Sequence, residues 1–72
     1  MTLSHWTVLR RLVARAPSEW VQVERSERAA ARALVDARLA VARMEVSRGR
    51  PIEVGLYAAT DRGRAIAAEA SQ

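Results

Sequence analysis

Val41-Ala42-Arg43-Met44-Glu45-Val46-Ser47-Arg48-Gly49-Arg50-Pro51-Ile52-Glu53-Val54-Gly55-Leu56-Tyr57-Ala58 is the stretch whose reading decides the fold. In its first part Ala42, Met44 and Val46 alternate with Val41, Arg43 and Glu45. After Pro51, Ile52, Val54, Leu56 and Ala58 alternate with Glu53, Gly55 and Tyr57. A period of two belongs to a strand with one face buried, because successive side chains leave opposite sides of the backbone. Residues 47–51 between the two runs contain Gly and Pro, so the segment reads as a β-hairpin with a five-residue loop. Its tip carries Arg48 and Arg50.

Either side of the hairpin the period is helical. Downstream, Thr60 caps a last helix from Asp61 to about Ala70, with Asp61 near the positive helix N-terminus and Ile66 toward the core. Upstream, Ser26 precedes an alanine-dense run to Ala37, whose inward face is Ala30, Ala33, Leu34 and Ala37. Glu27, Arg28, Ala31 and Arg32 point elsewhere. From Ser4 to Arg15, Trp6, Leu9, Leu12 and Val13 recur at three- and four-residue spacings, with Ser4 as N-cap and Pro17 ending the helix. Pro17 to Val23 reads as a short helix capped by Ser18, although Trp20, Val21 and Val23 also suit an extended strand.

The whole chain has 72 residues, 12 Lys+Arg against 8 Asp+Glu, a single histidine and no cysteine. At this size a domain buries only about 60% of its unfolded surface, which leaves little room for a core and a deep catalytic cleft together. No enzyme activity, cofactor or metal is expected: without cysteine there is no thiol nucleophile or zinc ribbon, and His5 alone cannot build a metal site. An apolar fraction of 50% points to a folded chain. No run approaches the roughly 20 apolar residues of a membrane span, and the first residues lack a basic segment before an apolar one. The expected compartment is the cytoplasm. A net charge of +4 favours a polyanionic partner, although every basic residue is arginine in an alanine-rich chain, a pairing that genome composition also produces.

Two stretches carry a family resemblance. Leu34-Val35-Asp36-Ala37-Arg38-Leu39 leads from the alanine-rich helix into the first strand, and Tyr57-Ala58-Ala59-Thr60-Asp61-Arg62-Gly63-Arg64 leads from the second strand into the last helix. With the element order, they make residues 4–70 resemble the winged helix-turn-helix family, in particular its MarR- and PadR-type branches. There the recognition helix typically ends Leu-x-x-x-Gly-Leu, and the wing leaves through Tyr-x-Leu-Thr-x-x-Gly-Arg. Tyr57, Thr60, Gly63 and Arg64 match, while Arg38 and Ala59 stand where glycine and leucine are usual.

The resemblance implies an α+β fold, a small winged helix of three helices, a two-stranded β-hairpin wing and a C-terminal helix, as one domain over residues 1–72. It further implies a DNA-binding protein acting as a transcriptional regulator, with helix 26–37 in the major groove and wing 47–51 on the backbone or minor groove. Arg28 and Arg32, one turn apart, are the expected base or phosphate contacts, and Arg25 an expected phosphate contact. Arg48 and Arg50 are the expected wing contacts. A homodimer is expected, because a single half-site read by so small a module binds weakly.

Plainer readings stand beside these. An arginine-bearing helix face or turn is commonly just solvated, and Glu27 beside the proposed groove surface repels phosphate unless an arginine pairs with it. Trp6 and Trp20 sit among Val and Leu as core or dimer-contact aromatics. Glu45 and Glu53 are expected to pair across the hairpin with Arg43 or Arg48. The alternative function is a winged-helix protein-interaction module, such as a phage or mobile-element inhibitor of a host complex, with Ala29–Ala42 as its partner face.

Overall fold

The computed structural model describes residues 1–17 and 19–70. Its elements are α1 (Leu3–Val13), β1 (Val21–Gln22), a 3-10 turn (Arg25–Glu27), α2 (Arg28–Asp36), β2 (Ala40–Ser47), β3 (Arg50–Ala59) and α3 (Asp61–Ala70). The result is a winged-helix-like α+β fold with three α-helices and one antiparallel sheet in the order β1-β3-β2.

Helix α1 begins earlier than expected, because the cap is Thr2 and not Ser4. The His5 N–H donates to Thr2 Oγ1 and the Thr2 N–H donates to His5 Nδ1, so two of the N-terminal groups satisfy each other. The lone histidine thus belongs to a helix cap. Val8, Leu9 and Leu12 are fully buried, with Trp6 and Val13 packed at the margin. Burial of each such leucine is worth about 1.5–3 kcal/mol.

Residues 17–23 depart from the expected short helix. The Glu19 N–H bonds Ala16 O at 2.9 Å to close a turn, and the chain then runs extended, with Val21 opposite Tyr57 and Gln22 opposite Leu56. Val21 and Val23 are buried and Gln22 between them is exposed, a period of two that a helix cannot supply. The expected cap Ser18 lies outside the described residues. The sheet therefore has three strands and not two. Among the described residues the 3-10 turn alone stands between β1 and α2, and no α-helix does.

Helix α2 starts two residues later than expected and buries Ala30, Ala31 and Leu34. Ala31, expected outward, is buried and Ala37, expected inward, is exposed, because α2 packs on α1 and on the sheet and ends at Asp36. The helix terminates through two backbone bonds, Arg38 N–H to Val35 O at 3.0 Å and Leu39 N–H to Leu34 O at 2.9 Å. This is a Schellman end, which requires a left-handed residue, and Arg38 adopts φ 64°. An arginine therefore occupies the glycine-type position at the cost of steric crowding around its Cβ.

Thr60, Gly63 and Arg64 then lock α3 to this turn. The Thr60 hydroxyl donates to Arg38 O at 2.8 Å and accepts the Gly63 N–H at 3.0 Å, while Thr60 N–H bonds Leu39 O at 3.1 Å. A Cβ on Gly63 would lie 2.1 Å from Leu39 O, so only glycine permits the approach. The Arg64 guanidinium reaches the end of α1, donating to Val13 O at 3.3 Å and Arg15 O at 2.8 Å. The three residues that carry much of the family resemblance thus perform structural work here.

The hairpin is tighter at its tip than expected. Ser47 pairs with Arg50, leaving only Arg48 and Gly49, both at positive φ (53° and 77°), as a two-residue turn. Further down, Met44 faces Glu53 but Ala42 faces Tyr57, so β3 holds two more residues than β2 between these rungs. That bulge centres on Gly55, at φ 76°, whose carbonyl accepts the Val23 N–H at 3.1 Å. Below it Tyr57 enters the core at 2% exposure, whereas Ile52, Met44 and Val46, expected on half-buried faces, are exposed at 43%, 50% and 77%. Because the bulge adds an even number of residues it keeps the faces of the strand: Tyr57 shares a face with Ala42 and Met44, Ile52 shares one with Glu45, and the outer hairpin projects beyond the helices with no layer to cover it.

Candidate nucleic-acid interface

Glu27 and Arg25 flank the entrance to α2. Glu27 bonds Arg11 of α1 at 2.5 Å and accepts the Glu24 N–H at 3.0 Å. The Arg11 bond, helped by the Glu24 N–H, holds its carboxyl below the ordinary carboxylate range. Glu27 is therefore a pinned anion whose charge is compensated. Arg25 is exposed and has no acidic partner among the described residues.

Arg28 and Arg32 stand one turn apart on the exposed side of α2 and both lean over β3. The Arg28 guanidinium covers the bulge, since a Cβ built on Gly55 would meet its Nη2 at 3.2 Å. Arg32 is paired twice: Nη1 with Glu53 at 2.9 Å and Nε with Asp36 at 3.4 Å. Tyr57 lies under this group. Burial pushes its phenol above the ordinary value and the Glu53 carboxylate adds to that, while Arg28 and Arg32 pull the other way. The structure thus gathers Arg28, Arg32, Glu53 and Tyr57, and of these Glu53 and Tyr57 were not among the expected site residues. Glu53 and Arg32 are separated by 21 residues, and no periodicity links them.

Arg48 and Arg50 sit at the far end of the hairpin, exposed and without acidic partners among the described residues. Neither glutamate makes the expected pair across the hairpin: Glu45 meets Arg43 of its own strand at 3.6 Å, and Glu53 pairs with Arg32 of α2. Of the five arginines singled out, Arg25, Arg28, Arg48 and Arg50 keep uncompensated charge and Arg32 does not. Arg38, exposed at the end of α2 and without an ion pair among the described residues, is a further cation. Trp20 is 41% exposed and thus not a core residue, while Trp6 packs against the core.

Among the described residues no cluster of three His, Cys, Asp or Glu could hold a metal ion, and no helix is long and apolar enough to cross a membrane. The arrangement offers hydrogen-bond donors and positive charge on the exposed side of α2 and at the hairpin tip. Compared with protein-family models, curated proteins and solved structures, the chain finds no match.

Proposed function

We propose that the chain binds duplex DNA, as a small transcriptional regulator acting as a homodimer, without chemistry of its own. The observation that carries this reading is the placement of four of the arginines that have no carboxylate partner among the described residues: Arg25 and Arg28 at the start of α2, and Arg48 and Arg50 on a projecting hairpin. From Gly55, beneath Arg28, to Arg50 the strand covers five residues, about 17 Å. That separation lets α2 meet a major groove about 12 Å wide while the tip reaches the flanking backbone. Arg32 contributes less than its position suggests, because Glu53 and Asp36 already hold it.

Four phosphate contacts give a slope of about −3 to −4 in log K against log salt concentration. Titration of random duplex DNA at several salt concentrations measures it directly. Each of Arg28→Ala, Arg48→Ala and Arg50→Ala is expected to flatten the slope by about 0.9. A salt-independent response, or no binding at low salt, overturns the reading.

The exposed Met44, Val46 and Ile52 favour a second reading, a protein-interaction module. It predicts a salt-tolerant complex with a protein partner that survives the arginine substitutions and is lost on replacing Met44 and Val46 with serine.

A further inference from the structure

Strand β2 lies at the edge of the sheet, since the order is β1-β3-β2, and among the described residues no strand lies beside its outer row of backbone N–H and C=O groups. Natural edge strands are commonly protected by proline, lysine or a bulge. β2 has no proline or lysine over Ala40–Ser47, its charged side chains are the oppositely charged Arg43 and Glu45, and at the break in register between Ala42 and Met44 the extra residues sit on β3. Three of its large apolar side chains, Val41, Met44 and Val46, are exposed at 44%, 50% and 77%.

The residue order along that edge is self-complementary. Two antiparallel copies related by a twofold axis through the sheet must place one residue opposite itself. Centring on Arg43 or Glu45 sets like charges face to face. Centring on Met44 sets Arg43 opposite Glu45 of the second copy, Glu45 opposite its Arg43, and Ala42 and Val46 opposite its Val46 and Ala42. Opposed charges and apolar pairs in directly facing positions are the units that stabilise an antiparallel pair. The existing contact between Arg43 and Glu45, 3.6 Å long and about half exposed on both sides, is weak enough to exchange for two intermolecular ones.

We propose that β2 pairs with β2 of a second copy of this chain, antiparallel and centred on Met44, joining two three-stranded sheets into one of six. This gives the homodimer of the preceding section its surface, and it rests on that part of the reading only. The axis keeps both α2 helices on the same face of the joined sheet, with their arginines directed to one side.

The test is oligomeric state by analytical ultracentrifugation across a concentration series, without DNA, so that it is independent of whether the arginines bind phosphate. Wild type is expected to dimerise. Arg43→Glu and Glu45→Arg each place two like-charge contacts in the dimer and are expected to weaken it at least about tenfold. The double exchange, Arg43→Glu with Glu45→Arg, restores it. Mixing the two single variants is expected to give a mixed dimer, since each then supplies the charges the other lacks. Thermal unfolding of each variant checks that the fold is kept. A monomeric wild type, a dimer indifferent to the single reversals, or a failure of both the double exchange and the mixture to restore pairing overturns the proposal.

Discussion

Two residues sit in positions that their chemistry makes costly or indispensable. Arg38 holds a left-handed conformation in which its Cβ crowds the following carbonyl, a cost of about 1–2 kcal/mol that glycine avoids. Arg38→Gly also enlarges the freedom of the unfolded chain, which returns part of the gain. The expected result is a net stabilisation of about 0.5–1 kcal/mol, read as a higher urea midpoint with an unchanged slope; a lower midpoint would sink the strain argument. Gly63 is the converse case. A methyl group there meets Leu39 O at 2.1 Å, so α3 or the Leu39 turn must move. Gly63→Ala is expected to lower stability by about 1–3 kcal/mol, or Tm by about 5 °C or more.

Glu27 makes the acid side of the stability curve informative. Its carboxyl is held below its ordinary range by Arg11 and by the Glu24 N–H, so the folded state binds that proton less readily than the unfolded chain. The stability it contributes is present above the unfolded pKa and disappears as pH falls through the folded one. Glu27→Gln should therefore reduce stability near neutral pH and flatten its decline in acid. Denaturant midpoints at neutral and acid pH decide the matter, and parallel curves for the two proteins would contradict it.

At the scale of elements, the hairpin and the last helix are legible in the sequence, while the stretch before α2 and the middle of β3 are not. Alternation around Ser47–Pro51 and the spacing from Thr60 to Arg64 are local signals, and each corresponds to a local arrangement: the Arg48-Gly49 turn and the Thr60 cap. The strand at Val21–Gln22 is not locally determined. It exists because Tyr57 and Leu56 are beside it, and sequence neighbours do not show that pairing. The bulge at Gly55 has the same character. One residue slip in a strand exchanges its faces, and the two-residue turn, shorter than the sequence suggests, sets Glu45 opposite Ile52 and leaves Tyr57 on the face of Ala42, so Tyr57 goes inward and Ile52 stays in solvent. The charged site divides along the same line. Arginines on a helix face and a turn tip can be found by position, whereas the capture of Arg32 by Glu53 depends on α2 lying across β3. That pair is exposed on both sides, so a double-mutant cycle on Arg32→Ala and Glu53→Ala is expected to give a coupling of no more than about 1 kcal/mol.

For the molecule as a whole, the surface is generous. A chain of 8.0 kDa is expected to expose about 4,450 Å², against 5128 Å² here. The radius of gyration, 12.1 Å, likewise exceeds the roughly 11 Å of a compact chain of this length. The long axis of 45 Å and the exposed Met44, Val46 and Ile52 trace that excess to the outer hairpin, where both strands leave the helices behind. Such a projection contributes little to the core. Its value lies in what it carries outward, which is Arg48 and Arg50 at the tip and the free β2 edge along the side. Between tip and helix, Glu53 is an acidic residue on the face proposed to meet phosphate, and it holds an arginine that would otherwise serve there. If the face binds DNA, Glu53→Gln both removes a repulsive charge and releases Arg32, which then keeps only Asp36. The expected outcome is tighter binding to random duplex DNA at low salt, with the log K slope steeper by up to about one. The double variant Glu53→Gln with Arg32→Ala should lose that extra slope. If Glu53→Gln leaves affinity and slope as they were, the α2–β3 face is not where DNA lies, whatever the hairpin tip does.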